Sequence, residues 1–222
     1  MLFHYITNFQ ILSLYKFSLK GSTAIILINH KISASCTFSL INQIIFHTHL
    51  FNLCTLYFCP INMTFFHLKY LDQQVNRTLI INLMGRVHMP PCDCPFRCVD
   101  AILQKERADL VIVDMHAEAT SEAQAMGHHL DGRAAAVLGT HTHVPTLDAK
   151  VLPGGTAYVT DIGMTGPYEG VIGMKKEASL GRFLKVQRPR YEVAEGDLQL
   201  HAVLVTTEGR KATSIERILR RL

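Results

Sequence analysis

Three histidines follow two apolar runs of the sequence, and their type and spacing suit metal binding. The run 134–138 leads into Gly-Thr-His-Thr-His, which carries His141 and His143, and the run 110–114 leads towards His116. In an extended backbone alternate side chains share a face, so His141 and His143 are expected on one side, about 6 to 7 Å apart. A histidine taken singly is more often structural than a ligand. Three neutral imidazoles at two strand ends nevertheless supply the lone pairs that a metal ion needs, and we predict a metal site.

Three further residues are candidates for contacts around these histidines. Glu118 lies two positions after His116, where it could bind metal directly, orient a ligand histidine or begin the next helix. Arg133 could contact a phosphate group or pair with a helix end. Thr165 offers a hydroxyl in the glycine-rich stretch 163–167, which is either a ligand-binding loop or a tight turn. Each of the three is therefore a candidate on the ligand or substrate side of the site.

Two aspartates stand at the ends of predicted strands. Asp114 ends the run 110–114, and Asp161 ends a predicted strand at 156–161. Active-site groups of α/β proteins collect at the carboxyl ends of strands, but aspartate is also a common turn former. Both interpretations stay open for these two residues.

The order of the predicted elements indicates an α/β fold. A strand at 78–83, a helix beginning at Pro95 and a strand at 110–114 form a β-α-β unit, which is typical of parallel sheets. A helix ending near residue 130 and a strand at 134–138 continue the alternation. The remaining predicted elements are the strand 156–161, the helix 175–184 and the hairpin 198–206 with 213–219.

The first third of the chain differs in composition from the rest. Residues 1–71 contain no Asp or Glu, whereas all 18 acids follow. No window in this third is long and apolar enough for a good membrane span, and no basic start or Ala-x-Ala site marks a signal peptide. We therefore divide the chain into 1–72, an atypical segment of doubtful fold, and 73–222, a domain expected in the cytoplasm. We interpret the first segment as an altered or misread N-terminus, with a membrane-associated extension as the alternative.

Charge and cysteine spacing argue against two other classes of protein. After residue 71 the chain carries 18 bases against 18 acids, so there is no basic face for nucleic acid. Cys92, Cys94 and Cys98 form Cys-x-Cys-x-x-x-Cys, which lacks the Cys-x-x-Cys spacing of common zinc sites. Reduced thiols are therefore predicted.

A set of ordered motifs lies between residue 78 and the C-terminus. These motifs are 81–86, Pro90-Pro91 with Pro95-Phe96, 114–122, 131–133, 139–144, 152–158 and 160–167. Together they resemble one family, the bacterial calcineurin-like metallophosphoesterases that act as 2',3'-cyclic-nucleotide 2'-phosphodiesterases.

The resemblance implies both a fold and a chemistry. The implied fold is a β-sandwich flanked by helices (α/β/β/α), of which this chain has the C-terminal part and an incomplete or replaced N-terminal sheet. The implied cofactor is a pair of divalent or trivalent ions, iron or manganese, with His116 and His141 on one ion and His143 on the other. The implied substrate is a small nucleotide or another phosphodiester, which a metal-activated hydroxide attacks. Assembly into a homo-oligomer stays open.

The sequence departs from the family pattern in its acidic motifs. It lacks the Gly-Asp-x-x-Gly aspartate, the Glu-Asn pair that bridges the two ions, and the Gly-Asn-His motif whose histidine acts on the leaving group. Neutral histidines alone leave the charge of two ions largely uncompensated. We therefore expect weak or absent phosphodiesterase activity, and the alternative is a non-catalytic remnant or interaction protein.

Overall fold

The computed structural model describes the backbone of residues 10–19, 22–31, 68–73, 76–185 and 190–221, and the side chains of 77–184 and 190–221. Most of the predicted segment 1–72 thus lies outside the described residues. The strands in chain order are β1 (Gln10–Leu19), β2 (Ser22–Lys31), β3 (Leu68–Gln73), β4 (Asn76–Met84), β5 (Leu110–His116), β6 (Ala136–Thr140), β7 (Lys150–Val151), β8 (Ala157–Val159), β9 (Gly166–Pro167), β10 (Leu198–Glu208) and β11 (Lys211–Arg221). The helices are α1 (Pro95–Lys105), α2 (Thr120–His129) and α3 (Lys176–Lys185).

The first sheet is built around four parallel strands. In the described part of the chain it has six strands in the order β3-β4-β5-β6-β8-β7. Strands β4, β5, β6 and β8 run parallel, while β3 and β7 pair antiparallel at the two edges. Helices α1 and α2 make the crossovers from β4 to β5 and from β5 to β6, as the predicted β-α-β alternation requires. This arrangement brings the carboxyl ends of β5 and β6 to the same edge.

Apolar side chains cover both faces of this sheet. On one face, Val99 of α1 and Met126 of α2 join Leu79 and Ile81 of β4 in a buried cluster. On the other face, Ile112, Leu138 and Val159 pack with Val203 and Val205 of β10. Strands buried on both faces read as continuous apolar runs, which is the pattern of 110–113 and 134–138.

The second sheet lies against the first through β10. Its strand order within the described residues is β1-β2-β10-β11, with β9 also paired to β10. The hairpin of β10 and β11 confirms the one predicted in this part of the sequence. Strand β2 pairs antiparallel with β10, so part of the acid-free N-terminal segment belongs to this sheet. Two packed sheets with helices on the outer face of one confirm the predicted α/β sandwich class.

Two features of the described residues bear on other sequence predictions. Cys92, Cys94 and Cys98 are free cysteines in the described part of the chain, and their reduced state stays a prediction. No helix in this part of the chain is long and apolar enough to cross a membrane.

Gly139 is required by the close approach of β6 to the chain after β8. A Cβ at this position would lie 1.6 Å from the carbonyl oxygen of Thr160. We expect Gly139→Ala to lower the free energy of unfolding by about 2 to 4 kcal/mol, because the backbone must move to admit the methyl group. Urea denaturation monitored by circular dichroism measures the change.

Gly181 is the matched control for this substitution. It lies in α3, and a Cβ there meets no atom within 4 Å. Gly181→Ala should leave the protein as stable as before or stabilise it by roughly 0.5 to 1 kcal/mol through helix propensity. Equal losses in the two variants would contradict the steric explanation.

Candidate metal-binding site

His116 ends β5, and a chain of hydrogen bonds fixes its protonation state. Its Nδ1 atom lies 3.1 Å from the Thr140 hydroxyl, which itself donates to Asp114 Oδ1 at 2.8 Å. Because the hydroxyl hydrogen is used on Asp114, Nδ1 of His116 is the donor and its Nε2 carries the lone pair. Burial, with the charges of His141 and His143, lowers the pKa of His116 to about 4, so the ring is neutral at pH 7. A neutral ring with a directed Nε2 lone pair has the form of a metal ligand.

Asp114 is the buried end of this chain. Its second oxygen accepts a hydrogen bond from the Asn82 side-chain amide. Burial raises the pKa of Asp114 to about 6, against the lowering effect of the Thr140 and Asn82 hydrogen bonds. Asp114 lies inside β5, which rules out the turn-former interpretation, while an active-site role stays a prediction.

His141 faces His116 across a short gap. Its Nδ1 lies 2.9 Å from Nε2 of His116, and the two rings meet edge to face with centroids 4.6 Å apart. On the other side of the ring, Nε2 lies 3.0 Å from Oε2 of Glu118. Of the three roles weighed for Glu118, this contact corresponds to the orientation of a ligand histidine.

The gap between His116 and His141 suits a positive charge. When Nε2 of His141 donates to Glu118, two lone pairs oppose each other across 2.9 Å, and a proton on Nδ1 or a metal ion between them relieves the repulsion. Two adjacent ligands at about 2.0 to 2.1 Å from one ion stand roughly 3 Å apart, so the separation fits both nitrogens on a single ion.

The loop after β6 is not extended, so the predicted geometry of His141 and His143 is wrong. Strand β6 ends at Thr140, and φ is 123° at His141 and 68° at His143. The two rings have different partners. His141 points to His116, whereas Nδ1 of His143 donates to the carbonyl oxygen of Ile172 at 3.1 Å.

Asp161 holds this loop in place. One of its oxygens accepts both the N–H and the hydroxyl of Thr142 at 2.8 Å each, and the other accepts the N–H of Gly163 at 2.7 Å. Thr142 lies between the two histidines, so the contact fixes the backbone on both sides. Burial raises the pKa of Asp161, and the hydrogen bonds from Gly163 and Thr142 oppose that rise.

Arg133 and Thr165 lie outside this cluster. Arg133 precedes β6, at the opposite end of the strand from His141, and its Nη2 bonds Oδ1 of Asp100 at 2.6 Å. The hydroxyl of Thr165 donates to the backbone oxygen of His201 at 3.3 Å, and the residue is only 3% exposed. The stretch 163–167 leads into β9 at Gly166–Pro167, so it is neither a tight turn nor a ligand-binding loop at the histidines, and the structure does not bring either side chain to them.

Three positioning residues could not be assigned from the sequence. Thr140 and Asn82 lie within motifs of the family resemblance but were given no role there, and Asp161 could equally have been a turn former. The signal for the first two lies in strand register, because His116 pairs with Thr140 and Asp114 pairs with Asn82 in neighbouring parallel strands. A single sequence gives the strands but not their register.

Within the described residues, two histidine nitrogens are close enough to bind one ion, which is fewer ligands than a complete metal centre needs. Among them, no group of three or more His, Cys, Asp or Glu side chains is arranged to hold an ion. His116 and His141 fit as a pair of adjacent ligands, with Glu118 behind His141. His143 lies close enough for its charge to affect the pKa of His116, while its ring is directed to Ile172.

Histidines at the carboxyl ends of parallel strands, inside a sandwich of two sheets, define a metallophosphoesterase-type protein. Comparison with known families supports this class, since the YmdB-like protein family matches residues 63–218. The chain belongs to this family, which confirms the resemblance carried by the motifs.

Named relatives agree with this assignment. The chain is 46% identical over 156 residues to the 2',3'-cyclic-nucleotide 2'-phosphodiesterase of Bacillus subtilis (strain 168), covering 68% of this chain and 59% of the relative. It is 42% identical over 127 residues to a putative phosphatase/phosphodiesterase of Mycoplasma pneumoniae, covering 56% of this chain and 45% of the relative. The chain therefore spans about half of the length of these curated relatives.

Two solved structures share the fold. A hypothetical protein from Thermus thermophilus superposes with a TM-score of 0.68 at 47% identity, over 69% of this chain and 61% of that chain. A novel phosphatase from Mycoplasma pneumoniae superposes with a TM-score of 0.66 at 34% identity, over 69% and 57%. The sandwich described above is therefore the fold of the family.

The role of Asp161 as anchor of the histidine loop can be tested by Asp161→Asn. An amide group would turn an N–H towards the donors of Thr142 or Gly163, leaving buried donors unsatisfied. We expect the free energy of unfolding to fall by about 1 to 3 kcal/mol and the amide of Thr142 to exchange with solvent faster. Hydrogen exchange followed by NMR measures both effects.

Glu192→Gln provides the control for this loss of a carboxylate. Glu192 pairs with Lys175 on the surface, so its replacement should change neither the stability nor the exchange rate of Thr142. Unchanged exchange at Thr142 in Asp161→Asn would contradict the anchoring role.

Proposed function

We propose that this chain is a metal-dependent phosphodiesterase of the 2',3'-cyclic-nucleotide type with impaired turnover. The observation that carries the proposal is the opposed pair of nitrogens on His116 and His141, 2.9 Å apart at the carboxyl ends of two parallel strands. The name of the Bacillus subtilis relative supports the reaction class. Iron or manganese as the metal, a small nucleotide or another phosphodiester as the substrate, and a cytoplasmic location are parts of the same proposal.

Each residue of the cluster has a defined task in this proposal. An ion held by these residues would supply polarisation of the phosphoryl group and an activated hydroxide. His116 binds the ion through Nε2, because Thr140 occupies its Nδ1. His141 binds through Nδ1, because Glu118 occupies its Nε2. Asp161 keeps His141 in position by holding the following residue, Thr142.

Charge is the reason to expect impaired turnover. Both ligands of the pair are neutral, and Glu118 reaches the pair only through the His141 ring. Two neutral ligands leave most of the charge of the ion uncompensated at a partly buried position, and the protein therefore binds the ion weakly. The sequence also lacks the Gly-Asn-His motif that the family resemblance assigns to the leaving group, so expulsion of that group proceeds without a matching acid.

A non-catalytic remnant or interaction protein is the second candidate function. It is favoured by the finding that no group of three or more potential ligands assembles among the described residues. On this alternative the histidine pair binds an ion without turnover, or binds none.

Metal binding and turnover by the purified full chain distinguish the two candidates. Calorimetric titration with Mn²⁺ should show one bound ion, and His141→Ala should weaken the affinity at least about tenfold through loss of a ligand. Turnover of 2',3'-cyclic AMP with Mn²⁺ should be slow and should disappear in the same variant. The control is His128→Ala, because His128 is an exposed histidine on α2 that should affect neither measurement.

Each result of these two measurements supports or overturns one of the two candidate functions. Binding without turnover supports the non-catalytic candidate. No binding overturns the assignment of His116 and His141 as ligands. Two tightly bound ions with rapid turnover would overturn the expected impairment.

A further inference from the structure

A strained turn stands beside His143. Residues 171–174 form a tight turn closed by two backbone hydrogen bonds, from Val171 N–H to Met174 O at 2.8 Å and from Met174 N–H to Val171 O at 2.9 Å. The two central residues both have positive φ, 45° at Ile172 and 85° at Gly173. Glycine suits such a position, but a β-branched residue there is a genuine outlier.

Burial of the Ile172 side chain does little to offset the strain of this conformation. The residue is 50% exposed, so burial of its apolar atoms gives little in return. Backbone strain that persists without a packing reason is found mostly at functional sites. Its carbonyl group, by contrast, has a specific partner.

That partner is the ring of His143, and the contact determines which nitrogen carries the hydrogen. Nδ1 of His143 lies 3.1 Å from Ile172 O. A carbonyl oxygen only accepts, so Nδ1 must donate, and in the neutral ring the lone pair is then on Nε2. His143 itself has a φ of 68°, so both members of the contact are strained.

The surrounding chain fixes the turn in position. Met174 forms a β-bridge with Val193, and the N–H of Ala194 donates to Gly173 O at 3.0 Å. Gly170, just before the turn, leaves no room for a side chain, because a Cβ there would lie 2.3 Å from Met174 O. These contacts on either side of Ile172 hold its carbonyl group in a fixed position.

We propose that the turn 171–174 is a positioning element that sets the tautomer of His143, with Ile172 acting through its backbone carbonyl so that Nε2 is the nitrogen directed to a metal ion. The part concerning the ion rests on the metal dependence in the proposed function and adds His143 to its ligands, whereas the tautomer does not depend on the metal. The device parallels that at His116, where the Thr140 hydroxyl holds Nδ1. His141 differs, because Glu118 holds its Nε2.

The tautomer is measured directly by two-bond ¹H–¹⁵N correlation NMR of the metal-free full chain. His143 should show a protonated Nδ1 and an unprotonated Nε2. In Ile172→Pro, whose ring forbids positive φ, the carbonyl moves and His143 should shift towards the Nε2–H tautomer. Ile172→Gly keeps both the carbonyl and the positive φ, so it should retain the Nδ1–H form and rescue the effect.

His116 is the internal control in every spectrum. Its Nδ1 hydrogen bond to Thr140 does not involve the turn, so its tautomer should be the same in all three proteins. A predominant Nε2–H form of His143 in the unmodified chain overturns the proposal, even if Ile172→Pro does not fold. A His143 signal that is identical in Ile172→Pro and Ile172→Gly also overturns it.

Zinc titration separates this inference from the proposed function. Zn²⁺ is diamagnetic, so its binding should shift the ¹⁵N signal of His143 Nε2, and Ile172→Pro should bind it roughly tenfold or more weakly than Ile172→Gly. An Nδ1–H tautomer with no zinc-induced shift would uphold the positioning by the turn and overturn metal binding by His143. A shift at Nδ1 instead of Nε2 would overturn the positioning itself.

Discussion

The register of three parallel strands is the constraint on which the site depends. Pairing of β4 with β5 places Asn82 beside Asp114, and pairing of β5 with β6 places His116 beside Thr140. A slip of one residue would move every one of these side chains to the opposite face of the sheet. The apolar residues between them, buried on both faces, make such a slip costly. Packing of the core therefore fixes the geometry of the polar edge.

Three buried carboxylates hold the segments at this edge of the sheet in place. Asp114 acts through Thr140 on His116, and Asp161 accepts the hydrogen bonds of Thr142. Glu122 of α2 accepts the backbone N–H groups of Arg86 and Val87, in the segment that follows β4. Each acid is satisfied by several donors, as a buried charge must be, and each stabilises one stretch at the carboxyl edge of the sheet.

The sequence predicted the elements of this edge better than its contacts. The alternation of strands and helices and the location of His116 and His141 at two neighbouring strand ends followed from apolar runs and chain order. The direction of His143 did not follow, because a positive φ at two histidines is not encoded by residue type and contradicts the extended backbone that we assumed. The position of Arg133 away from the histidines could have been predicted, because a residue before β6 and the residues after it must lie at opposite ends of the strand.

A metal site needs ligands that are correctly oriented and carboxylates that balance the charge of the ion. In the site proposed for this chain, the first requirement is met more fully than the second. The groups that orient the histidines, Thr140, Glu118 and Asp161, all lie within the stretch that matches the family. Charge compensation requires carboxylates that face the gap between His116 and His141. Asp114 and Asp161 cannot serve, because their oxygens already accept hydrogen bonds from the residues they hold, and turning either one towards an ion would release a ligand histidine or its loop. In the proposed metal site, charge therefore limits the affinity, while the orientation of His116 and His141 is retained.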